Sequence, residues 1–446
     1  MTAPEPGPVI TKVPNWTRSA GLTAGAAVAV VLAASGLIAS RVDVALLAMP
    51  LIIAVGLSWG RRPSLTETAS ARLDLAEPRS KEIDYGVSIS TPERVETVVL
   101  RYSVLAGEYR EFVIAAPLRA GLAGRVPLLH SGPQELVRFE YRFVGADGAA
   151  VSSPEQPLIA RGVISPEQTA IESDPLPRRL QGLTGSHPSA RAGDGGDFRD
   201  IHPFQAGDRL RRISWKTTAR HAQNAGNLYV RRTDALADAT VLIVLDSRDD
   251  VGEQVAEWGR NDPATKGISS LDIAREAASS IASGYIHAGD RVGFQDLSSR
   301  SRIIPHGGGT RHLWRLLRAI EITAPSPMPF SHRRAPIVPP GALVYLLSSL
   351  LDDQAVTLAL TWRGKGHRVI AVDVLPAARF DRATRHEHVA HRIVMMERDD
   401  RIRVLRARGV ELLRWSQDDN TLPLQVQLRL LSQPARHGRS TAGRPR

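Results

Sequence analysis

The residues best suited to chemistry lie where an arginine-rich segment runs into an apolar strand. Residues 240–245 are apolar and largely β-branched, and Asp246, Ser247, Arg248, Asp249 and Asp250 follow directly. A second apolar run, 342–347, is followed within a few residues by Asp352. Carboxylates at strand ends are hard oxygen ligands of the kind that Mg²⁺ or Ca²⁺ takes. Asp246, Asp250 and Asp352 are therefore the candidate metal ligands. The same residue types also cap helices or pair with arginine, and their spacing leaves both readings open.

Upstream, residues 197–232 form an arginine-rich segment that carries Arg199, Arg209, Arg211, Arg212, Lys216 and Arg220 among Asp197, Asp200, Asp208 and Trp215. Guanidinium groups pair with carboxylates in a directional, bidentate way that lysine does not match. One reading makes Arg199, Asp208, Arg209, Arg211, Arg212, Trp215 and Arg220 a docking surface for an acidic partner. The other has the aspartates neutralise the arginines inside one ordered loop that fixes a joint between domains. In either case Trp215 is expected to pack on the sheet as an anchor.

Other motifs carry less. The chain has no cysteine, which excludes disulfides, thiolate nucleophiles and thiolate-bound metals and fits a reducing compartment. Gly307-Gly308-Gly309-Thr310 has the look of a phosphate loop but lacks its lysine. The histidines show no zinc spacing, and the densest group, His386, His388 and His391, reads as a solvated loop. With no nucleophile elbow either, the residues support no catalytic role and no enzyme.

The surrounding elements divide by pattern. Residues 1–19, rich in Pro and Gly, are expected to be disordered. Residues 20–60 hold two apolar stretches around Arg41-Val42-Asp43, each near the length that crosses about 30 Å of hydrocarbon. A signal peptide would pass a similar test, but a second apolar stretch follows at once, so the pair reads as two transmembrane helices. Lys12 and Arg18 before them and Arg61-Arg62 after them place both ends in the cytoplasm by the positive-inside rule.

Period-two patterns separated by Pro and Gly over 65–164 predict an all-β sandwich-like module acting as spacer or docking surface. Residues 165–196 read as a mobile linker. From 239 to 435 apolar strands alternate with amphipathic helices, among them 268–284, 312–320 and 355–363, which predicts a doubly wound α/β domain. Residues 436–446 form a basic tail expected to be disordered. The net charge of +11 fits attraction to membrane lipid or a compositional arginine bias; its dispersal and the lack of an aromatic-and-glycine signature make nucleic acid an unexpected partner.

The run from Ile201 to Arg220, followed by Leu228-Tyr229-Val230-Arg231-Arg232, resembles the signature of a bacterial membrane-protein family known as domain of unknown function 58. The Gly207-Asp208, Arg211-x-Ile213-x-Trp215 and Ala219-Arg220 elements match in order. The resemblance implies that the α/β domain is von Willebrand factor A-like, behind a membrane hairpin and a β-rich region. It also implies partners, a MoxR-type AAA ATPase and a transglutaminase-like membrane protein, and so an interaction or assembly role at the cell membrane. A von Willebrand-type cation site would need Asp-x-Ser-x-Ser after the first strand. Here Arg248 and Asp250 stand at the serine positions, and Ser349 stands where an aspartate is expected. The site is expected to be absent or degraded, with no cofactor; a module that binds protein through Mg²⁺ or Ca²⁺ is the alternative.

Overall fold

The computed structural model describes residues 10–59, 67–76, 81–105, 107–116, 121–172, 174–178, 180, 185–221, 228–258, 267–298, 303–325, 335–415 and 422–433. Arg61, Arg62, Ser301, Arg302 and the tail 436–446 fall outside them. The chain divides into one unit of Met1–Leu129 with Pro133–Ile164, and another of His130–Gly132 with Ser165–Arg446.

In the first unit, β1 (Ile10–Lys12) and β2 (Trp16–Arg18) precede α1 (Ala20–Ile38), α2 (Val42–Leu46) and α3 (Ala48–Trp59). Two spans, Ala20–Ile38 and Val42–Trp59, are long and apolar enough to cross a membrane. The 19 residues of α1 rise about 28 Å. Their surfaces are apolar and uncovered, with Val30, Val31, Leu37 and Ile38 all exposed. The second span breaks at Leu47 because Pro50 has no N–H to give the carbonyl four residues back. The two legs fold against each other at Gly36, where a Cβ would lie 2.5 Å from the backbone nitrogen of Ala45. At the open end the Arg18 guanidinium lies 3.2 Å from the centroid of the Trp59 ring. At the turn Arg41 pairs with Asp43 at 2.6 Å.

The rest of this unit comprises β3 (Ala69–Leu75), β4 (Glu82–Ser90), β5 (Val95–Val104), β6 (Arg110–Ala115), β7 (Leu122–Pro127), β8 (Gly132–Gly145), β9 (Ala150–Ser152) and β10 (Leu158–Ile164). They form two antiparallel sheets, ordered β1-β3-β4-β7 and β2-β9-β8-β5-β6, with β10 beside β8. Period-two alternation sends Ala71, Leu73, Ile83 and Val87 from one sheet, and Val98, Leu100, Phe139, Tyr141 and Phe143 from the other, into a single core. The expected disorder of residues 1–19 is corrected from residue 10 onward, where β1 pairs with β3 and β2 with β9, while residues 1–9 lie outside the described residues. Local composition misleads because both pairing partners lie beyond the helices.

The second unit begins with a ribbon of β11 (His187–Pro203) and β12 (Tyr229–Ala237), with α4 (Trp215–His221) between them. The mobile linker is thus corrected as well, since its end is a bulged strand paired with β12. Next come β13 (Thr240–Leu245), α5 (Ser270–His287), β14 (Arg291–Asp296), β15 (Ile303–Gly307) and α6 (Thr310–Glu321). The chain closes with β16 (Leu343–Ser348), α7 (Asp353–Gly364), β17 (Arg368–Asp373), α8 (Arg385–Ala407), β18 (Glu411–Arg414) and α9 (Leu424–Ser432).

The sheet order is β15-β14-β13-β16-β17-β18, parallel except for β15 at one edge. Successive residues of β13 serve opposite cores. Val241, Ile243 and Leu245 meet α5, α6 and α9, whereas Leu242 and Val244 meet α7 and α8. A strand buried on both faces must be apolar throughout, which is why these strands read as continuous runs. On α6, Leu313, Leu316 and Ile320 are buried, each burial worth about 1.5–3 kcal/mol. Residues 385–391, read as a loop, are the first turns of α8. Thr384 and Glu387 form a capping box that starts that helix.

Candidate functional site

The carboxyl ends of the parallel strands gather Asp246 after β13, Asp296 on β14, Ser348 on β16 and Asp373 on β17. The strand order reverses direction between β13 and β16, the place where open α/β sheets leave a crevice. Arg248 fills it. Its Nε donates to Asp246 Oδ1 and its Nη2 to Asp246 Oδ2, both at 2.7 Å. Its Nη1 lies 2.8 Å from Asp352 Oδ2 and also donates to Gln354. Ser348 Oγ completes the set, donating to Asp246 Oδ2 at 2.9 Å.

Arg248 is only 8% exposed, so its charge is held by these partners and little water. Burial works against the charged guanidinium, but the hydrogen bonds and charges of Asp246 and Asp352 outweigh it and raise its pKa. A divalent cation needs open oxygen ligands and no competing positive charge. The residues present do not fit one, because a guanidinium already bridges the two carboxylates.

The other candidate ligands serve local structure. Asp352 caps α7, accepting from the backbone N–H of Ala355 at 3.1 Å. Asp250 accepts from the N–H of Leu271 in the first turn of α5, at 3.1 Å, and does not join Arg248. Two neighbouring sets went unnoticed in the sequence. Ser247 and Ser298 both donate to Asp296 Oδ1. Arg398, 1% exposed, pairs with Asp373 and donates to the carbonyl of Ser349 at 2.8 Å. The signal for Arg398 was an arginine on the inward stripe of an otherwise apolar helix face, with Ile402 and Leu405.

The arginine-rich segment is ordered by its backbone. Asp208 N–H donates to the carbonyl of Gln205 at 3.0 Å, with Gly207 at φ 105°, a left-handed conformation that favours glycine. Asp208 Oδ2 accepts from Gln205 N–H at 2.9 Å and lies 3.6 Å from His202. Asp208 therefore closes its own turn. Ser214 N–H donates to Tyr229 O at 2.8 Å, and Ile213 bridges Val230, which ties the start of α4 to β12. Arg199 pairs with Asp234 at 3.6 Å.

These contacts anchor the segment without Trp215. It is 68% exposed, a correction to its expected place on the sheet, and Leu210 is 69% exposed. Arg209, Arg211, Lys216 and Arg220 are exposed around them, and Arg212 is half-buried. Arg211, Lys216 and Arg220 have no ion-pair partner among the described residues.

Residues 200–379 match the family described as "Protein of unknown function DUF58". The DUF58 match starts inside β11, takes in the arginine-rich segment and runs through β17 and the strand-end residues. It covers less than half of the chain and leaves out the N-terminal helices, both antiparallel sheets, α8 and α9. No curated protein matches the chain.

Proposed function

We propose that this chain is a non-catalytic, membrane-anchored interaction protein. Its α/β domain, which we read as von Willebrand factor A-like, docks an acidic surface of a partner through the exposed face around α4. The observation that carries this reading is the exposure of Trp215 and Leu210 in the same short segment as the exposed Arg211, Lys216 and Arg220. Tryptophan and arginine are the residue types enriched at interface hot spots. The parallel sheet with one antiparallel edge and helices on both faces supports the fold assignment. The resemblance to the DUF58 family suggests a MoxR-type AAA ATPase as the partner.

Lys12 and Arg18 at the open end of the hairpin, against a turn whose Arg41 is paired with Asp43, favour cytoplasmic main domains. The test is binding of the purified MoxR-type ATPase of the same organism to the protein in lipid nanodiscs. Trp215→Ala, and separately Arg211→Glu with Arg220→Glu, should each weaken binding by about tenfold or more with an unchanged melting temperature. Wild-type affinity in both variants would show that the surface is wrongly assigned.

The convergence of Asp246, Asp352 and Ser348 favours a second reading, a protein-binding module dependent on a divalent cation. The guanidinium at that point argues against it. Heat on titrating Mg²⁺ or Ca²⁺ into the wild-type protein would revive it.

A further inference from the structure

Helix α6 carries a second exposed face that, like the one around α4, sets an indole among basic residues. Its inner stripe, Leu313, Leu316 and Ile320, is buried. Outside, Trp314 is 66% exposed, and Arg311, Arg315 and Arg318 surround it at positions three and four apart. Arg311 and Arg315 have no ion-pair partner among the described residues. Arg318 approaches Glu321 at 3.5 Å, and that carboxylate already accepts from Ser165 at 2.7 Å. The twelve-residue helix holds no other acid.

The contrast with α8 is instructive. Acids stand among the arginines there: Arg403 pairs with Asp400, and the half-buried Arg401 pairs with Glu397 and with Asp353 at the start of α7. A solvated helix mixes both signs in this way, whereas the outer face of α6 has one sign and an indole at its centre.

We propose that the outer face of α6 binds the anionic phospholipid surface of the bilayer that holds the hairpin. The inference rests on the membrane-anchored reading and adds a second, peripheral contact to it. Arginine forks match phosphate oxygens bidentately, and an indole settles at the level of the headgroups. Tethering by the spans supplies a high effective concentration, so a weak surface suffices. Each basic residue near an anionic surface contributes about fivefold, and three contribute on the order of a hundredfold.

The chain has no cysteine, so a single Thr310→Cys substitution at the exposed start of α6 can carry an environment-sensitive fluorophore. The full-length protein is placed in nanodiscs of phosphatidylcholine alone or with phosphatidylglycerol. A blue shift, with quenching by headgroup-labelled lipid, is expected only in the anionic discs, and high salt should reverse it. Arg311→Glu with Arg315→Glu and Arg318→Glu should abolish it, and Trp314→Ala should weaken it, with the melting temperature unchanged.

Equal emission in both discs, or a shift that survives the triple charge reversal, would overturn the proposal. So would a shift that arises only when a soluble protein partner is added. Retention of the chain in discs through an alkaline wash is scored separately. Loss there would fail the anchor itself, and retention without a fluorescence response would fail only the α6 contact.

Discussion

Arg248 carries a fixed positive charge between two carboxylates that would otherwise face each other across the crevice. It does electrostatically what a bound metal ion would do, but it is covalently attached and cannot be removed by a chelator. Arg248→Ser would leave Asp246 buried without its counter-ion, and breaking such a pair costs about 3–5 kcal/mol. The variant would also bring a serine hydroxyl to a point already facing Asp246, Asp352 and Ser348. Denaturation midpoints should fall in metal-free buffer and partly recover in millimolar Mg²⁺, while the wild type stays indifferent to the ion. If Mg²⁺ leaves the variant unchanged, the guanidinium does not occupy a cation's place.

A half-buried acid, Asp174, offers a test by pH. Burial, and then the neighbouring Asp290, push Asp174 from 3.8 up to about 6, with His187 pulling the other way. Because the folded-state value is raised, the stability this group contributes is present below 3.8 and is lost as pH rises through about 6. Asp174→Asn should melt much like the wild type at the acid end of that window and progressively higher above it. An offset that stays flat with pH would show that Asp174 does not titrate in this way.

At the scale of elements, legibility followed how local each signal was. The strands β13, β16 and β17 could be read directly, because burial on both faces demands unbroken apolar runs. Helix α6 was legible from Leu313, Leu316 and Ile320 on one stripe. The start of α8 was present in the sequence as Thr384 and Glu387, three residues apart, but the histidines between and after them drew attention to metal chemistry. His388 and His391 instead pack on Phe380. The strand β11 gave no local signal at all. Its Gly- and Pro-rich sequence has poor strand propensity, and the backbone of β12, far along the chain, holds it in place.

The candidate site was legible as a list of residues and not as a set of contacts. Asp246, Arg248 and Asp352 were all noticed, and the conflict between guanidinium and cation followed from the family resemblance, which sets Arg248 at a serine position. Asp250 could not be separated from them, because whether an aspartate after a strand caps a helix depends on where that helix begins. Trp215 was misplaced for a related reason. Tryptophan usually packs inside, and only the bridge from Ile213 to Val230 shows that the anchoring is done without it.

For the whole molecule, the most consequential feature is where the N-terminus returns. The hairpin does not hang from the end of the chain, since β1 and β2 precede it and belong to the same antiparallel sheets as the strands that follow. Ser19, the cap of α1, donates its N–H to Ala149 O at 2.9 Å, so the first leg leaves directly from that body. A soluble form made by starting at residue 61 would therefore strip the outermost strands from both sheets. It would leave β3 and β9 as open edges, which invite edge-to-edge pairing between molecules. Replacing residues 20–59 with a flexible linker would remove the spans while keeping β1 and β2. The linker form is expected to be monomeric with one cooperative melt of the β unit, and the chain starting at residue 61 to melt lower and associate. Size-exclusion chromatography and thermal melts followed by circular dichroism separate the two outcomes. Equal stability and solubility of both forms would mean that β1 and β2 contribute nothing to the sheets they join.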